Sequence, residues 1–448
     1  RRPPKDESGS ELVPPPVIPQ LDRRMTGKEV VPLVTQTRSY ELLTPLLGGG
    51  VEPGVADPVT VIRGSEIRGH LRFWWRACRG GAFNGNLRAM KQREDGLWGA
   101  ASTKDRPRPS AVDIVVSTDH SGKDVYPFEV VPGSDRRTGR PKPKARASES
   151  VAPSYAAFPL QPSEEDVRAG GMETKTKAVR EGVRFTLRIT YSRGEQEEVE
   201  AALWAWETFG GLGARTRRGF GALKLVSIDG RPVGLPAAHE VEAVIREGLQ
   251  KHVVDGTWPP GVPHLSPNLR TRVTGAHSDP RSAWTYLVQC LKNFRQSRQR
   301  GTSSRQPGRS LWPEPAAIRR LTNRRCPGHS QPLSTTHKLP RAAFGLPIVF
   351  HFKDQDAGDP YDTILRGRDY ERMASPLILR PLACANGQAV GLAAILEGTG
   401  VEALPGGLIL QGAPGDPAVE ATLTPGEARG IPTLRGNPDV LQAFLDTL

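Results

Sequence analysis

The spacing of hydrophobic positions predicts two helices and four strands in the first half of the chain. Ile67 and Cys78 belong to a helical apolar stripe that follows Ser65, which we interpret as the helix N-cap. A second helical pattern covers residues 195–209 and ends at Gly210. The alternating segments that predict strands are residues 35–43, 111–117, 183–191 and 220–228. The order strand–helix–strand–strand–helix–strand indicates an α+β, ferredoxin-like (RRM-like, βαββαβ) fold.

A long polar stretch, residues 118–182, interrupts this pattern between the second and third strands. Its length and its prolines predict an exposed finger or hairpin outside the core. The basic residues of this insertion are Arg136, Arg137, Arg140, Lys142, Lys144 and Arg146.

The second half begins after the Gly- and Pro-rich segment 230–236, so we expect domains over residues 1–235 and 236–448. An Arg-rich stretch, residues 295–325, predicts a flexible basic loop that orders on RNA, or else an exposed and solvated one. Helical periodicity covers residues 239–253, 281–294 and 437–448, and strand patterns cover residues 348–353, 377–383 and 390–396.

The charge balance suggests a polyanionic partner. Lys and Arg total 61 against 48 Asp and Glu, a formal net charge of +13. Basic side chains that contact phosphates release condensed counterions, and arginine also stacks on bases, so the excess suits RNA. The codon bias of a GC-rich genome explains an arginine excess equally well. Charge therefore points to a partner and not to a fold.

Four cysteines lie far apart, and no pair has the C-x-x-C spacing of a zinc or redox motif. Cys326 and His329 are at most half of a metal site, so we expect reduced thiols, no metal and no cofactor. The chain contains no apolar run of about 18 residues. We therefore expect a cytoplasmic protein with no membrane partner.

The glycine-rich segment 210–221, GGLGARTRRGFG, is the strongest local signal. Glycines allow close backbone approach, and successive amides can form a nest for an anion. The segment matches neither a P-loop nor a Rossmann motif, and a mobile surface loop is the alternative. The residues that we expect to grip a phosphodiester backbone are Gly211, Gly213, Arg215, Arg217, Arg218 and Gly219.

The segment 62–76, IRGSEIRGHLRFWWR, is the second signal. Its arginines form a basic stripe beside the apolar one, which suits RNA, an acidic subunit or simply solvent. Adjacent tryptophans on a helix point apart, so at least one of Trp74 and Trp75 belongs to the core. The candidate RNA contacts here are Arg63, Arg68, Arg72 and Arg76, with Arg79 one turn further on.

Two residues are minority candidates for catalysis. His70 on the first helix could serve as a general base, but its partner cannot be named from the sequence. Asp57, in the loop after the first strand, could hold a metal or assist attack by a ribose 2′-OH. We found no Ser/His/Asp, H-E-x-x-H or kinase set.

The run TPLLGGG at residues 44–50, the segment 62–76 and the loop 210–221 together resemble the RAMP superfamily of CRISPR proteins. The form IRGHLRFWWRA is similar to the first-numbered subunits of type III-B (Cmr) effector complexes. The segments LPRAAFGLP at 339–347, which includes Arg341, and SPL at 375–377 are also similar to them.

The resemblance implies two ferredoxin-like RAMP domains in a non-catalytic, RNA-binding subunit. Such a subunit holds the 3′ region of a guide RNA, helps capture single-stranded target RNA in antiviral defence, and contacts other RAMP subunits. Arg341 then joins the candidate RNA contacts. Backbone subunits of the family use an acidic residue after the first strand, at a place broadly similar to Asp57. Two alternatives remain: a RAMP-type endoribonuclease that cleaves guide or target RNA, and a scaffold whose arginines pair with acidic neighbours.

Overall fold

The structure is a computed structural model. It describes residues 23–26, 29–50, 54, 56–57, 59–101, 108–135, 139–299, 308–326 and 336–448. Its sheets are antiparallel and are combined with helices, so the fold is mixed α/β.

The first half folds around one main sheet. The strands of this half of the chain are β1 (Arg23–Thr26), β2 (Glu29–Leu42), β3 (Asp113–Val125), β4 (Phe128–Val131), β5 (Lys144–Ala147), β6 (Val179–Ser192), β7 (Leu223–Ile228) and β8 (Arg231–Pro232). The sheet has the order β3–β6–β2–β7–β8, and β1 pairs with β2. Strands β4 and β5 form a separate hairpin. The four strand patterns of the sequence correspond to β2, β3, β6 and β7, with boundaries that differ by up to eight residues.

The helices of the first half are α1 (Gly64–Arg79), α2 (Leu87–Trp98), α3 (Ser154–Ala157), α4 (Glu164–Gly170) and α5 (Gln196–Phe209). Helices α1 and α5 pack on each other and on the sheet. Alternate residues of β6, from Val183 to Tyr191, are buried beneath them. Both Trp74 and Trp75 lie in this core, and the expectation that at least one does so is confirmed.

The second half contains two smaller sheets. Its strands are β9 (Thr271–Val273), β10 (Ile348–Phe350), β11 (Thr363–Gly367), β12 (Leu377–Ala383), β13 (Ala389–Ile395), β14 (Leu408–Gln411) and β15 (Ala418–Val419). Its helices are α6 (Val241–His252), α7 (Pro280–Arg295), α8 (Glu314–Leu321), α9 (Pro425–Arg429) and α10 (Val440–Leu445). One sheet has the order β12–β13–β9 and the other β10–β11–β14–β15. Helix α7 packs on β12 and β13.

The hydrophobic core runs across the predicted domain boundary. The cluster that contains Trp75 and Phe185 continues through Leu249 of α6 to Ile378 and Leu392 of the second half. The main sheet of the first half and the sheet β12–β13–β9 therefore share one hydrophobic core.

Three local predictions are wrong. The N-cap of α1 is Arg63, and Ser65 lies inside the helix, because the loop enters the helix two residues earlier. The insertion 118–182 is not excluded from the core. Its Phe128, Ala156 and Leu160 are buried in a cluster with Trp284 of α7, because α3 packs on that helix.

The third correction concerns the Arg-rich stretch 295–325. Residues 314–321 form helix α8, which buries Ala317 and Ile318, so this part is not a flexible loop. Residues 300–307 lie outside the described residues, as do Arg136 and Arg137 of the insertion.

Candidate nucleic-acid interface

The basic stripe of α1 is largely occupied by acidic residues of α2. Arg72 Nε donates to Glu94 Oε1 at 2.7 Å, and Arg76 Nη1 donates to the same oxygen at 2.8 Å. The Glu94 side chain is only 2% exposed, whereas those of Arg72 and Arg76 are 23% and 30% exposed. Asp95 adds a second carboxylate, 3.3 Å from Arg72. The stripe therefore ties two helices together and keeps only a partial face for a ligand.

Arg68 and Arg79, at the two ends of the stripe, also bind groups of the protein itself. Arg68 Nη1 donates to the carbonyls of Trp98 and Val112, at 3.3 and 3.2 Å. Arg79 pairs with Glu198 of α5 at 2.8 Å. These contacts join α1 to α2, β3 and α5, so the stripe has a structural role that its spacing alone did not reveal.

Arg63, the N-cap of α1, holds the glycine run after β2. Its guanidinium donates to the carbonyls of Gly49 and Gly50. Its buried Nε has no hydrogen-bond partner among the described residues. The entry to α1 is thus fixed against the glycine run by one cation.

In the glycine-rich loop 210–221, several backbone amides are already hydrogen-bonded within the fold. Gly213 and Gly219 have φ angles of +75° and +85°, a region that glycine enters without strain. A side chain at Gly219 would also collide with the indole of Trp284. The amides that already donate are those of Leu212 to Gly221 O, Gly213 to Glu66 Oε1, Ala214 to Leu47 O, Gly219 to Thr216 O and Gly221 to Pro45 O. These five amides are therefore used by the fold, which leaves fewer amides of the loop for an anion nest than the sequence suggested.

Carbonyl groups of the same loop are used as well. Gly211 is buried, and its carbonyl accepts from Trp206 Nε1 at 3.0 Å. The carbonyl of Gly219 accepts from Thr44 Oγ1 at 2.6 Å. The loop is therefore clamped between the end of β2 and helix α5.

The three loop arginines point toward other parts of the chain. Arg217 donates to the carbonyl of Ser375 and lies over the Phe73 ring at 5.7 Å. Arg215 Nε donates to the carbonyl of Ala156 at 2.7 Å. These contacts join the loop to the insertion and to the second half.

Arg218, the third loop arginine, donates two hydrogen bonds to carbonyls of the second half. Its Nη1 donates to Leu377 O at 2.9 Å, and its Nη2 donates to Phe344 O at 3.2 Å. Burial, followed by repulsion from Arg295 and other arginines, lowers the pKa of Arg218 to about 9. Burial also lowers the pKa of Arg215 and that of Arg217. The loop thus carries cations that acidic groups do not compensate.

Arg341 lies beside this region in the second half. It is 3.2 Å from Glu314, a fully buried carboxylate, and its Nη1 donates to Arg295 O at 3.2 Å. Its guanidinium also lies over the rings of Trp312 and Phe350, at 6.0 and 5.4 Å. These contacts place Arg341 within the packing of the second half.

The two minority catalytic candidates do not form one site. His70 Nε2 lies 3.8 Å from Glu66, which also accepts from the Gly213 amide. Asp57 accepts from the amides of Val59 and Thr60, both at 2.8 Å, and these bonds lower the pKa of its carboxyl group. Within the described residues, no hydrogen bond or ion pair joins His70 to Asp57. The carboxylate of Asp57 serves the local turn.

The part of the chain that the structure describes contains no group of three or more side chains arranged to hold a metal ion. The four cysteines are unpaired thiols, and His329 lies outside the described residues. Among the helices of the described ranges, none combines the length and the apolar character that a bilayer crossing requires.

Two important residues were missed from the sequence. Glu94 pairs with the arginines of the stripe, and Arg380 of β12 is a fully buried cation between the halves. Arg295, which the sequence placed at the start of the Arg-rich stretch, ends α7 beside the glycine-rich loop. Glu94 lies in a helix that starts at the N-cap Asn86, and that cap was the available signal. The sequence carries no comparable signal for Arg380, which sits inside an apolar strand.

The amino-acid sequence is similar to those of known proteins. Residues 39–224 match the RAMP superfamily. Over 190 residues, 41% of this chain and 91% of the relative, the sequence is 25% identical to CRISPR system Cmr subunit Cmr1-2 of Pyrococcus furiosus. The predicted resemblance is thereby confirmed.

Two solved structures are also similar. The apo crystal structure of Cmr1 from Pyrococcus furiosus gives a TM-score of 0.45 at 16% identity, covering 81% of this chain and 88% of that one. A chain of the cryo-EM structure of the type III-B Cmr-beta bound to cognate target RNA gives a TM-score of 0.44 at 12% identity, covering 92% and 99%.

Proposed function

We propose, on the basis of the match of residues 39–224 to the RAMP superfamily, that the protein is an RNA-binding structural subunit of a type III-B CRISPR effector complex. The observation that carries the proposal is the alignment with Cmr1-2, which spans 91% of that relative. In this role the chain binds the 3′ region of the guide RNA and helps capture complementary target RNA. Its partners are these RNAs and other RAMP subunits, and its place is the cytoplasm.

We propose that each half is a ferredoxin-like RAMP domain, divided near residue 235. In the first half, the order β3–β6–β2–β7 with two helices on the sheet supports this assignment. In the second half, β9, α7 and the pair β12–β13 supply a comparable partial unit. The shared core means that the two domains act as one body.

RNA contacts are proposed around the exposed parts of α1 and the glycine-rich loop. An arginine has five N–H donors, so one ion pair does not exhaust it. Arg76, for example, keeps 30% of its side chain exposed while it pairs with Glu94. The proposed contacts are Arg63, Arg68, Arg72, Arg76, Gly211, Gly213, Arg215, Arg217, Arg218, Gly219 and Arg341. For the glycines, whose backbone groups are used, the role is to shape the loop.

We further propose that the subunit binds RNA without cutting it. Asp57 is already bonded to two amides of its own turn, which favours a structural role for this carboxylate. The alternative is an endoribonuclease that depends on His70 or Asp57. It requires that replacing either residue abolish cleavage while binding survives.

The test is a filter-binding titration of the full chain with single-stranded RNA over a salt series, followed by a gel of the RNA. The site variant is Arg76→Ala, and the control is Arg246→Ala, which removes an exposed arginine from α6. The proposal expects intact RNA, a salt-dependent affinity, and weaker binding for Arg76→Ala only. Absence of binding by the wild type would contradict it, and shortened RNA would favour the nuclease alternative.

A further inference from the structure

Three arginines from different parts of the chain converge on Tyr155 and Phe344. Arg295, the last residue of α7, lies over the Tyr155 ring at 5.9 Å and over the Phe344 ring at 5.4 Å. Arg218 donates to the carbonyl of the same Phe344 at 3.2 Å. Arg215 donates to the carbonyl of the residue that follows Tyr155. The three guanidinium groups therefore meet where the glycine-rich loop, the insertion and the second half come together.

These cations have no acidic partner among the described residues. None of the ion pairs found there includes Arg215, Arg218 or Arg295. The nearby carboxylate of Glu314 attracts Arg295 but forms its ion pair with Arg341. Repulsion from Arg295 contributes to the lowered pKa of Arg218. A partly desolvated group of like charges is costly unless an anion completes it.

Arg295 also has unused donor capacity. Its Nε is buried and makes no hydrogen bond with any described residue. The aromatic rings beside it hold the guanidinium plane, and the Tyr155 side chain is the hydrogen-bond partner of another of its donors. Arg215, Arg218 and Arg295 are each partly exposed, so an anion can reach them from solvent.

We propose that Arg215, Arg218 and Arg295 form a composite anion site that binds one backbone phosphate of RNA between the two halves of the chain. The proposal rests on the RNA-binding function proposed above and adds a specific phosphate position to it. A phosphodiester carries one negative charge and two acceptor oxygens, which suit planar guanidinium groups. Its binding offsets the repulsion and joins the loop, the insertion and α7. The site differs from the α1 stripe because it draws on the second half of the chain.

The first test needs no RNA. Thermal unfolding is measured for the full chain with inorganic phosphate and with chloride at equal ionic strength. The variants are Arg295→Met and the control Arg246→Met, which removes an equal charge from an exposed position. A site of this kind makes phosphate raise the Tm of the wild type and the control, but not that of Arg295→Met. An equal rise in Arg295→Met, or no rise in the wild type, overturns the site.

The second test measures RNA binding by the same proteins over a salt series. Loss of one phosphate contact reduces the salt slope on single-stranded RNA by about 0.7. That reduction in Arg295→Met alone supports the proposal. Normal RNA binding with an unchanged slope in Arg295→Met overturns it and leaves the RNA-binding function standing.

A failure of the proposed function looks different. If the wild type does not bind RNA, but phosphate raises its Tm and Arg295→Met removes that effect, the anion site is supported and its RNA occupant is overturned. Should Arg295→Met fail to fold, Arg215→Met replaces it, because within the described residues the Arg215 side chain hydrogen-bonds only the Ala156 carbonyl. The criteria for the two tests stay the same.

Discussion

Replacing Arg380 by methionine should weaken the junction between the two halves. Arg380 lies on β12 and is fully buried. Its Nη1 donates to Gly210 O at 2.7 Å and its Nη2 donates to Leu223 O at 2.8 Å, both in the first half. Burial lowers the pKa of Arg380 to about 9, so the group is still charged at neutral pH. One guanidinium group thus hydrogen-bonds the carbonyls at the end of α5 and at the start of β7.

The size of the effect follows from these two bonds. A buried carbonyl that loses its donor costs about 1–3 kcal/mol, so two cost about 2–6 kcal/mol. Removing the buried charge returns part of this, because a desolvated cation is itself unfavourable. We expect a net loss of about 3 kcal/mol in the free energy of unfolding for Arg380→Met. At a urea m-value of about 3 kcal/mol/M, the unfolding midpoint falls by about 1 M.

The assay is urea unfolding followed by tryptophan fluorescence, since several tryptophans lie in the core. Arg246→Met is the control, and its exposed position on α6 predicts a change within about 0.5 kcal/mol. Arg380→Lys should be at least as damaging as methionine, because it keeps the charge but loses the planar fork. If Arg380→Met unfolds at the midpoint of the control, the carbonyl contacts do not stabilise the junction and the reasoning is refuted.

Two further predictions concern stability. Glu94→Gln leaves Arg72 and Arg76 without their shared carboxylate. Because both arginines are partly solvated, we expect the free energy of unfolding to fall by only about 2 kcal/mol. Chemical denaturation measures this change, and an unchanged free energy of unfolding would contradict the prediction. Burial lowers the pKa of His252, stacked on Trp204, to about 4 from 6.5, so the unfolded state binds the proton first and stability should fall as the pH drops between these values. His252→Gln should flatten that part of the Tm–pH curve, and a slope equal to that of the wild type would refute it.

The hydrophobic pattern predicted strand β6 of the first half because this strand alternates strictly over residues 183–191. Residues 183–191 place one face in the core and the other face outside, and β6 includes all of them. Strand β12 was predicted with the observed boundaries, although Arg380 stands in its middle. Helix α2 was missed because Glu94 occupies a buried position of its apolar face. An ion pair with partners 18 and 22 residues away leaves no trace in local periodicity.

The candidate site was harder to predict than the fold. The sequence shows that arginines recur, but whether a guanidinium faces solvent, a carboxylate or a carbonyl depends on elements that meet only after folding. Arg68 and Arg217 both donate to carbonyls of distant segments. The glycine-rich loop was correctly singled out as unusual, and its glycines are required by positive φ angles and close packing. Several of its amides, however, hydrogen-bond within the fold.

The net charge places a limit on RNA binding. Ion pairs such as Arg76–Glu94 use one cation and one anion, so they leave the formal surplus of +13 unchanged. The surplus must reside on cations without acidic partners, and Arg218, Arg295 and Arg380 are among these in the described part of the chain. Arg380 is fully buried and cannot reach a phosphate. Because the salt slope counts only the phosphates that are contacted, Arg380 should add nothing to it, although this arginine is part of the surplus charge.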